Sequence, residues 1–298
     1  MDSRTELRDF LTSRRAKITP EQAGVPLHVY AGSRRVPGLR REEVAMLAGV
    51  STDYYTRLER GNARGASDSV LDAVARALNL DEAERAHLFD LARAVGTPVR
   101  NRAASRGKND VRPALQNLLD AMAMAPAYIS NARLDVLAAN RLGRAIYAPL
   151  FDGASRPPNI ARFIYLDPAA ADFYDDWDRT AHDAVAMLRT AAGRTPRDKA
   201  LSALIGELAT QSEPFRTRWA AHDVRRYCTG VKLLRHPVVG EIHLGFEAMD
   251  LPTDHDLTLF AYSAKPGTPD HDALELLASW AATHDQEQAA ADAERADR

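Results

Sequence analysis

Two short helical patterns separated by a tight turn place the strongest constraint on how this chain folds. Residues 39–48 carry apolar side chains at helical spacing, and the turn Gly49-Val50-Ser51 follows them. Ser51 stands where an N-cap belongs, because its hydroxyl can accept a hydrogen bond from a backbone N–H two or three residues further on. Tyr55 and Leu58 then fall on the inner side of a second short helix. The pattern predicts two helices joined by a turn inside a larger helical bundle.

Three further helical patterns complete this bundle over residues 1–95. An opening helix is predicted over residues 4–16, a fourth over 67–80, and a fifth over 81–95 with an acidic first turn. Either Ser67 or Asp68 can cap the fourth helix. Five helices in so short a stretch predict one compact helical domain.

Residues 96–112 are rich in Gly, Arg, Ser and Asn and lack apolar periodicity, so we expect a linker there. Two interpretations of its basic residues stay open, contact with an anionic partner or a solvated hinge. These residues are Arg100, Arg102, Arg106 and Lys108.

Residues 113–282 mix helical and strand periodicity, and we expect a second domain there. Helical spacing occurs over 113–125 and within 168–221, including a helix predicted over 172–192. Strand-like segments flank this helical block, two around an Asn131-Ala132 turn and three near the end of the domain. The last three strands are predicted over residues 230–236, 241–249 and 257–264, followed by a closing helix over 270–284. The tail, residues 283–298, has no apolar face and is either frayed helix or disordered.

Charge differs between the two halves of the chain. Residues 1–112 carry 20 Lys+Arg against 15 Asp+Glu, and residues 113–298 carry 19 against 26, which gives +5 and −7. A mildly basic first half is consistent with contact to phosphates, although many such domains bind no nucleic acid. Cys228 is the only cysteine, which excludes an internal disulfide and a multi-thiolate metal site. No apolar run is long enough to cross a bilayer, so we expect a cytoplasmic protein without membrane insertion.

The second helix of the opening motif has a polar outer face. A helix fits the DNA major groove, which is about 12 Å wide, and Arg, Thr and Asp can read the base edges there. An ordinary helical hairpin with a polar outer face would show the same spacing. The spacing alone therefore leaves both interpretations open.

Residues 39–61, LRREEVAMLAGVSTDYYTRLERG, resemble the helix-turn-helix of the xenobiotic-response-element class, which includes the lambdoid phage repressors. The likeness runs through residues 41–45, 49–51 and 58–61. It implies a lambda-repressor-like bundle in which the second motif helix reads bases and Arg41 lies near the phosphates. A carboxylate at Asp53 is unfavourable near DNA unless it accepts from a cytosine amino group or orients Arg57. The residues implied for DNA contact are Arg41, Ser51, Thr52, Asp53, Tyr54, Thr56, Arg57 and Arg60.

The long loop before the first motif helix and the segment RWAAHDVRRYCTGVKLLRHPVVGEIHL, residues 218–244, resemble MmyB-like regulators. In that family a repressor-type domain precedes a PAS-like α/β domain with an antiparallel sheet and a helical insertion. The resemblance implies that the second domain holds a small, fatty-acid-like molecule between its sheet and its helices. Candidate pocket residues are Tyr128, Phe163, Trp177, Leu188, Trp219, His222 and Phe246. A purely structural role is the alternative for each of them.

Two rival hypotheses stay open at this point. One is a DNA-binding regulator whose second domain binds only protein. The other is a metal phosphohydrolase of the HD type, suggested by five His-Asp pairs that begin at His182, His222, His255, His271 and His284. Convergence of these pairs on one metal is not expected, because His255 and His271 lie in predicted loops and His284 borders the tail.

The sequence thus predicts a ligand-responsive bacterial transcription regulator, not an enzyme, with no catalytic or metal-binding residues and no cofactor beyond the fatty-acid-like ligand. We expect a nucleoid-associated homodimer bound to double-stranded DNA, because one short helix reads only a few base pairs. The operator, the target genes, the identity of the ligand and the direction of regulation do not follow from the sequence.

Overall fold

In the computed structural model of the chain, the described residues are 3–25, 37–96, 111–153, 155–223, 229–254 and 256–296. They form two compact units that alternate along the sequence. The first unit contains the described residues of Met1–Ala104 and Val185–Arg226, and the second contains those of Ser105–Ala184 and Tyr227–Arg298. The domain boundaries expected from the sequence assign residues 185–226 to the second domain, and they stay predictions. Most of the expected linker, including Arg100, Arg102, Arg106 and Lys108, lies outside the described residues.

Five helices form the bundle of the first unit. They are α1 (Ser3–Lys17), α2 (Arg41–Leu47), α3 (Thr52–Glu59), α4 (Asp68–Ala77) and α5 (Glu82–Gly96). Each helix turns its predicted apolar side into one shared core, with Leu7, Val44, Tyr55, Val74 and Leu88 fully buried. The helical bundle expected from apolar periodicity is therefore confirmed.

The turn between α2 and α3 follows from local hydrogen bonding. Gly49 adopts a positive φ of 65°, which suits glycine because it lacks a Cβ. The N–H of Gly49 donates to the carbonyl of Met46 at 3.2 Å, and that of Val50 donates to the carbonyl of Ala45 at 2.9 Å. This paired arrangement ends α2 as a Schellman motif. Ser51 then caps α3, since its hydroxyl accepts from the N–H of Tyr54 at 3.1 Å.

The second unit is built on one five-stranded antiparallel sheet. Its strands are β1 (Ala127–Asn131), β2 (Val136–Ala139), β3 (Thr229–His236), β4 (Gly240–Asp250) and β5 (Leu257–Ser263). They are ordered β2-β1-β5-β4-β3, so that β1, from the early part of the chain, pairs with β5. The sheet and the helical bundle before it confirm the fold class expected from the sequence.

The two faces of the sheet carry different side chains. On one face, Leu115 and Leu119 of α6 (Pro113–Ala121) pack against small and aliphatic residues such as Ala127, Ile129 and Leu259. The other face carries aromatic residues, among them Tyr128, Phe246, Phe260 and Tyr262. The remaining helices of this unit are α7 (Arg141–Ile146), α8 (Ala148–Asp152), α9 (Ile160–Leu166), α10 (Ala169–Phe173) and α14 (Pro269–Ala296). We find no helix among the described residues with the length and apolar character that a membrane crossing requires.

The helix predicted over residues 172–192 is divided in the structure, which corrects the sequence-based expectation. α10 ends at Phe173, and Tyr174 forms a bridge to Leu234 of β3. The Asp176 carboxylate then accepts from the N–H of Arg179 at 3.0 Å and starts a new helix, α11 (Trp177–Arg194). The helical spacing in the sequence continues through the break. The tertiary pairing of Tyr174 with Leu234 overrides this local pattern.

One helix is shared by the two units. α11 starts in the second unit, and its part from Val185 onward belongs to the first. α12 (Lys199–Gln211) and α13 (Glu213–Ala220) follow in the first unit. The predicted tail is helical as far as Ala296, as the continuation of α14.

Candidate functional sites

α3 presents the polar face that the sequence predicted. Ser51, Thr52, Asp53, Arg57 and Arg60 are exposed. Tyr54 and Thr56 are partly exposed, and Arg41 on α2 has a side chain that is 48% exposed. All eight predicted DNA-contact residues therefore reach solvent in the first unit, and their contact with DNA stays a prediction.

Arg57 is held by an aromatic ring on its own helix. Its guanidinium carbon lies 5.0 Å from the centroid of the Tyr54 ring, which is the geometry of a cation–π contact. Positions i and i+3 of a helix are neighbours on its surface, so this contact forms within α3 itself. The ring restricts the arginine side chain while leaving its charge exposed.

A buried carboxylate fixes α3 to its neighbours. The side chain of Glu59 is only 1% exposed and accepts from Arg15 Nε of α1 at 2.5 Å. It also accepts from Arg41 Nε of α2 and from the Tyr55 hydroxyl at 3.4 Å. Burial beside this carboxylate raises the pKa of Tyr55. One side chain thus joins three helices and sets how α3 is presented.

Sequence reasoning assigned no role to Glu59 or Arg15. A signal existed, because Glu59 falls four residues after the inward-facing Tyr55 and so belongs to the buried side of the helix. Arg41 was predicted only as a phosphate contact, and the structure adds its ion pair with Glu59. A charged residue at an inward helical position needs a buried partner.

The second unit contains a cluster of buried aromatic side chains on one face of its sheet. Three predicted pocket residues, Tyr128, Phe163 and Phe246, belong to it. We define the aromatic cluster as Tyr128, Tyr147, Phe163, Phe173, Tyr174, Phe246, Phe260 and Tyr262, whose neighbouring ring centroids lie 5.0–6.1 Å apart.

Polar atoms also converge on the aromatic cluster. The hydroxyls of Tyr147 and Tyr262 are 2.8 Å apart, and those of Tyr128 and Tyr262 are 3.4 Å apart. Burial raises the pKa of Tyr128 and Tyr147, so both hydroxyls keep their protons at neutral pH. The cluster therefore combines aromatic walls with hydroxyl groups that can donate.

A lysine borders the aromatic cluster where strand alternation would place an apolar residue. Lys232 of β3 lies 5.4 Å from the ring centroid of Tyr174, and its Nζ donates to the Thr180 hydroxyl at 3.2 Å. Burial lowers the pKa of Lys232 to about 8, while Asp183 favours its charged form. The amine is therefore mainly protonated at neutral pH and supplies a positive charge beside the rings.

The other predicted pocket residues lie elsewhere. Trp177, at the start of α11, packs edge-on against Tyr165, and its indole N–H donates to the carbonyl of Ile164 at 2.9 Å. Leu188, Trp219 and His222 belong to the first unit. The structure thus brings three of the seven candidates together and separates the rest into other surroundings.

Trp219 and His222 surround a buried arginine that the sequence did not single out. The guanidinium of Arg189 lies 4.1 Å from the Trp219 ring centroid, and its Nη1 donates to His222 Nδ1 at 2.9 Å. Burial, with further repulsion from Arg189, lowers the pKa of His222 to about 4. His222 therefore accepts this hydrogen bond as a neutral imidazole.

Open grooves also occur in the second unit. The largest described, about 720 Å³, lies among the end of α6, the start of α7 and α14, with Met122, Met124 and Leu142 in its lining. A smaller groove of about 260 Å³ includes Phe163. Phe163 is the only one of the seven predicted pocket residues that lines a groove described here.

The described His-Asp pairs behind the hydrolase hypothesis are spread along the fold. His182 is in α11, and His222 follows α13. His271 and His284 both lie on α14, near its start and in its middle, so the loop expected around His271 is wrong. His255 is outside the described residues. Within the described ranges, no group of three or more His, Cys, Asp or Glu side chains is placed to hold a metal ion.

Comparison with known families agrees with this geometry. Residues 6–88 match a helix-turn-helix domain family, and residues 111–277 match the MmyB-like transcription regulator ligand binding domain. Curated proteins show no match to the chain. The second match covers more than half of the 298 residues. The chain therefore belongs to the MmyB-like transcription regulators and combines a DNA-binding helix-turn-helix domain with a ligand-binding domain.

Proposed function

We propose that this regulator reads operator DNA with the exposed face of α3, acts as a homodimer, and responds to an apolar molecule that carries an acidic head group. The observation that supports DNA reading best is the presentation of α3. Its inner side is anchored through buried Glu59, and its outer side leaves Thr52, Asp53 and Arg57 exposed. A helix held in this way can enter the major groove without rearrangement.

Arg57 and Arg41 take different parts in this proposal. Arg57 projects from α3 and is ordered by Tyr54, so it is suited to a bidentate contact with guanine. Arg41 lies at the start of α2 and keeps about half of its side chain exposed beside Glu59, which suits a phosphate contact. Arg57 would therefore provide sequence specificity. Arg41 would provide affinity for DNA and the dependence of binding on salt.

Binding to an operator selected from random DNA by the full-length protein tests this division. Arg57→Ala is expected to weaken operator binding by about 1–3 kcal/mol and to relax preference at one base position. Arg41→Ala is expected to weaken all sequences alike and to reduce the slope of affinity against salt by about 1.

Arg76→Ala is the matched control, since Arg76 is an exposed arginine on α4. Each variant is first shown to unfold like the wild type, because Arg41 also pairs with Glu59. Equal affinity for operator and scrambled DNA in the wild type would overturn the proposal of sequence-specific binding.

The chemistry of the second unit supports the proposed class of ligand. The aromatic cluster offers apolar walls, its tyrosine hydroxyls can donate hydrogen bonds, and Lys232 adds a cation at its border. An apolar chain would lie against the rings while a carboxylate accepts from the hydroxyls or from the amine. A fatty-acid-like molecule combines these two properties.

Native mass spectrometry of the purified full-length protein tests ligand and oligomer together. We expect a dimer mass and a discrete excess that is released on denaturation as a fatty acid or a similar amphipathic acid. Lys232→Met is expected to weaken palmitate binding about tenfold, as for loss of one charge-assisted hydrogen bond.

Arg235→Met serves as the control for Lys232→Met, because Arg235 is an exposed cation on the same strand. Wild-type protein that does not bind palmitate would overturn the proposed ligand class. A monomer on operator DNA would overturn the homodimer, while leaving the reading role of α3 intact.

A further inference from the structure

Residues 185–223 belong by sequence to the ligand-binding family match, yet they fold with the helix-turn-helix bundle. The C-terminal part of α11, together with α12 and α13, forms one compact unit with α1–α5. A segment of the ligand-binding sequence is therefore in direct contact with the DNA-binding domain, and Arg14 and Arg189 each make polar contacts there.

Arg189 of α11 is the more deeply buried of these arginines, at 1% exposure. Its Nη1 lies 3.2 Å from the Glu6 carboxylate of α1 and 2.9 Å from His222 Nδ1. Its Nη2 donates to the carbonyl of Trp219, whose ring lies against the guanidinium. Burial lowers the pKa of Arg189 only to about 10, so it remains charged at neutral pH.

Arg14 of α1 contacts the ligand-binding sequence from the side of the bundle, and it is 5% exposed. Its Nη1 donates to Asp223 at 3.3 Å, its Nη2 donates to the carbonyl of His222, and its Nε lies 3.0 Å from Glu84 of α5. Lys17 adds a further bond to Asp223. Each partner thus supplies an arginine and a carboxylate: Arg14 and Glu6 come from the bundle, and Arg189 and Asp223 from the ligand-binding sequence.

His222 connects the two arginines and has a strained backbone. Its side chain accepts from Arg189, and its carbonyl accepts from Arg14. Its φ of 55° lies in the left-handed region, which is uncommon for residues that carry a Cβ, although histidine adopts it more often than most. Strain of this kind persists only where surrounding contacts enforce it.

The same contact is tightly packed but not fully satisfied. A Cβ at Gly193 of α11 would lie 2.6 Å from the ring of His87 on α5, so the two helices approach closely. Among the described residues, both ring nitrogens of His87 and the Nε atoms of Arg14 and Arg189 are buried without a hydrogen-bond partner. Buried polar groups of this kind are rare and lower the stability of the contact.

We propose that Arg14 and Arg189, with Glu6, His222 and Asp223, form a clamp that fixes the DNA-binding bundle to α11–α13. α11 is then the element that joins the ligand-binding sequence to the bundle. This inference rests on the proposed ligand response for its role in regulation, whereas the clamp itself rests on the contacts above. Arg189 acts as a positioning residue and does not touch DNA.

Two properties suit the clamp to switching. Loss of one partner leaves a buried charge uncompensated, so breaking any part of the clamp strongly destabilises it. α11 is one unbroken helix whose first part is held in the second unit, where the Tyr165 hydroxyl donates to the carbonyl of Ala181 at 2.6 Å. Coupling between a displacement at that end and Arg189 is part of the proposal, and operator binding measures it.

The clamp does not block the DNA-reading face directly. Its residues lie on α1 and α11 and just after α13, whereas the exposed DNA-contact candidates lie on α2 and α3 and at the ends of α3. Opening the clamp would therefore change the position of α3 relative to a second half-site, and it would leave the contact with one half-site intact.

Hydrogen exchange of the full-length protein tests the clamp without any ligand. Arg189→Met is expected to accelerate exchange in α1 and α13 about tenfold or more, while exchange in α3 and the sheet stays unchanged. Arg189→Lys keeps the charge but cannot donate to Glu6, His222 and Trp219 together, so an intermediate effect is expected. Arg197→Met, a change at an exposed arginine between α11 and α12, is the control. Equal acceleration in α3, or no difference from the control, would overturn the clamp.

Operator binding with and without saturating palmitate tests its regulatory role. We expect the ratio of the two Kd values in the wild type to fall toward one in Arg189→Met, while Kd for an isolated half-site stays within about twofold. Retention of the wild-type ratio in Arg189→Met would overturn coupling through the clamp. If palmitate does not change the wild-type Kd, the proposed ligand class fails, and hydrogen exchange alone decides whether the clamp exists.

Discussion

Arginines in two regions of the first unit have opposite roles: one group is exposed, and the other is buried. On α3 and at its end, Arg57 and Arg60 are exposed, and the charge of Arg57 lies over an aromatic ring of its own helix. In the clamp, Arg14 and Arg189 are buried and committed to carboxylates and carbonyls of the same chain. The comparison shows that only an exposed arginine contributes charge that DNA can reach.

This difference changes the meaning of the charge count. The excess of five positive charges in residues 1–112 includes Arg14 and Arg15, whose charges are neutralised by buried or partly buried carboxylates. Arg41 is intermediate, because it is paired with Glu59 and still half exposed. The electrostatic attraction for DNA is therefore concentrated on fewer side chains than the sequence suggests.

The largest effect on stability is expected from Glu59, the buried charge that anchors the exposed region on α3. Glu59→Ala removes the acceptor shared by Arg15 and Arg41 and should lower the free energy of unfolding by about 3–5 kcal/mol, as for other broken buried ion pairs. Urea denaturation of the full-length protein, followed by hydrogen exchange in α3, measures this loss.

Glu42→Ala is the matched control, because Glu42 is an exposed carboxylate on α2. Its effect is expected to stay within about 0.5 kcal/mol. A similar, small effect of Glu59→Ala would show that α3 is held by its apolar core alone, and the proposed anchoring would be wrong.

Acid should lower the stability of the buried region that contains Arg14 and Arg189. It should leave the exposed face of α3 unaffected. Burial lowers the pKa of His87 to about 3, so the folded protein binds fewer protons than the unfolded chain below pH 6.5. The stability that depends on a neutral His87 is present above pH 6.5 and is lost as pH falls toward 3, at up to about 1.4 kcal/mol per pH unit.

Urea denaturation at pH 7, 6 and 5 measures this dependence, and His87→Leu should flatten it. Some slope is expected to remain, because the pKa of His222 is also lowered, to about 4. His271→Leu, a change near the start of α14 in the second unit, is the control. An unchanged slope in His87→Leu would contradict the burial of a neutral imidazole at this position.

The smallest effect on operator binding is expected from Tyr54, whose ring restricts the Arg57 side chain on the exposed face. Tyr54→Ala removes the ring beneath the guanidinium and should weaken operator binding by about 0.5–1 kcal/mol, the usual size of an exposed cation–π contact. Tyr54→Phe keeps the ring and should bind like the wild type. Equal losses in both variants would show that the Tyr54 hydroxyl contacts DNA itself, and fluorescence anisotropy with labelled operator distinguishes the two results.

Much of the first unit could be predicted because its signals are local. The Ser51 cap and the reversal at Gly49 involve residues only a few positions apart. The three late strands were predicted to within about two residues of their bounds, since alternation is a property of each strand alone. The surroundings of the candidate pocket residues were harder to predict, because buried aromatic residues look alike in sequence whether they pack in one cluster or in several.

The sequence by itself determined the helix-turn-helix and the helical and strand segments, because period, caps and turn residues act over a few positions. The family was indicated by the resemblance of two stretches to known regulators. Only the tertiary structure decided the strand order β2-β1-β5-β4-β3, the break at Tyr174, and the assignment of α12 and α13 to the unit of the DNA-binding bundle. It also decided which arginines are buried. Glu6 and Arg189 are separated by 183 positions, and no local pattern records that folding brings their charges together.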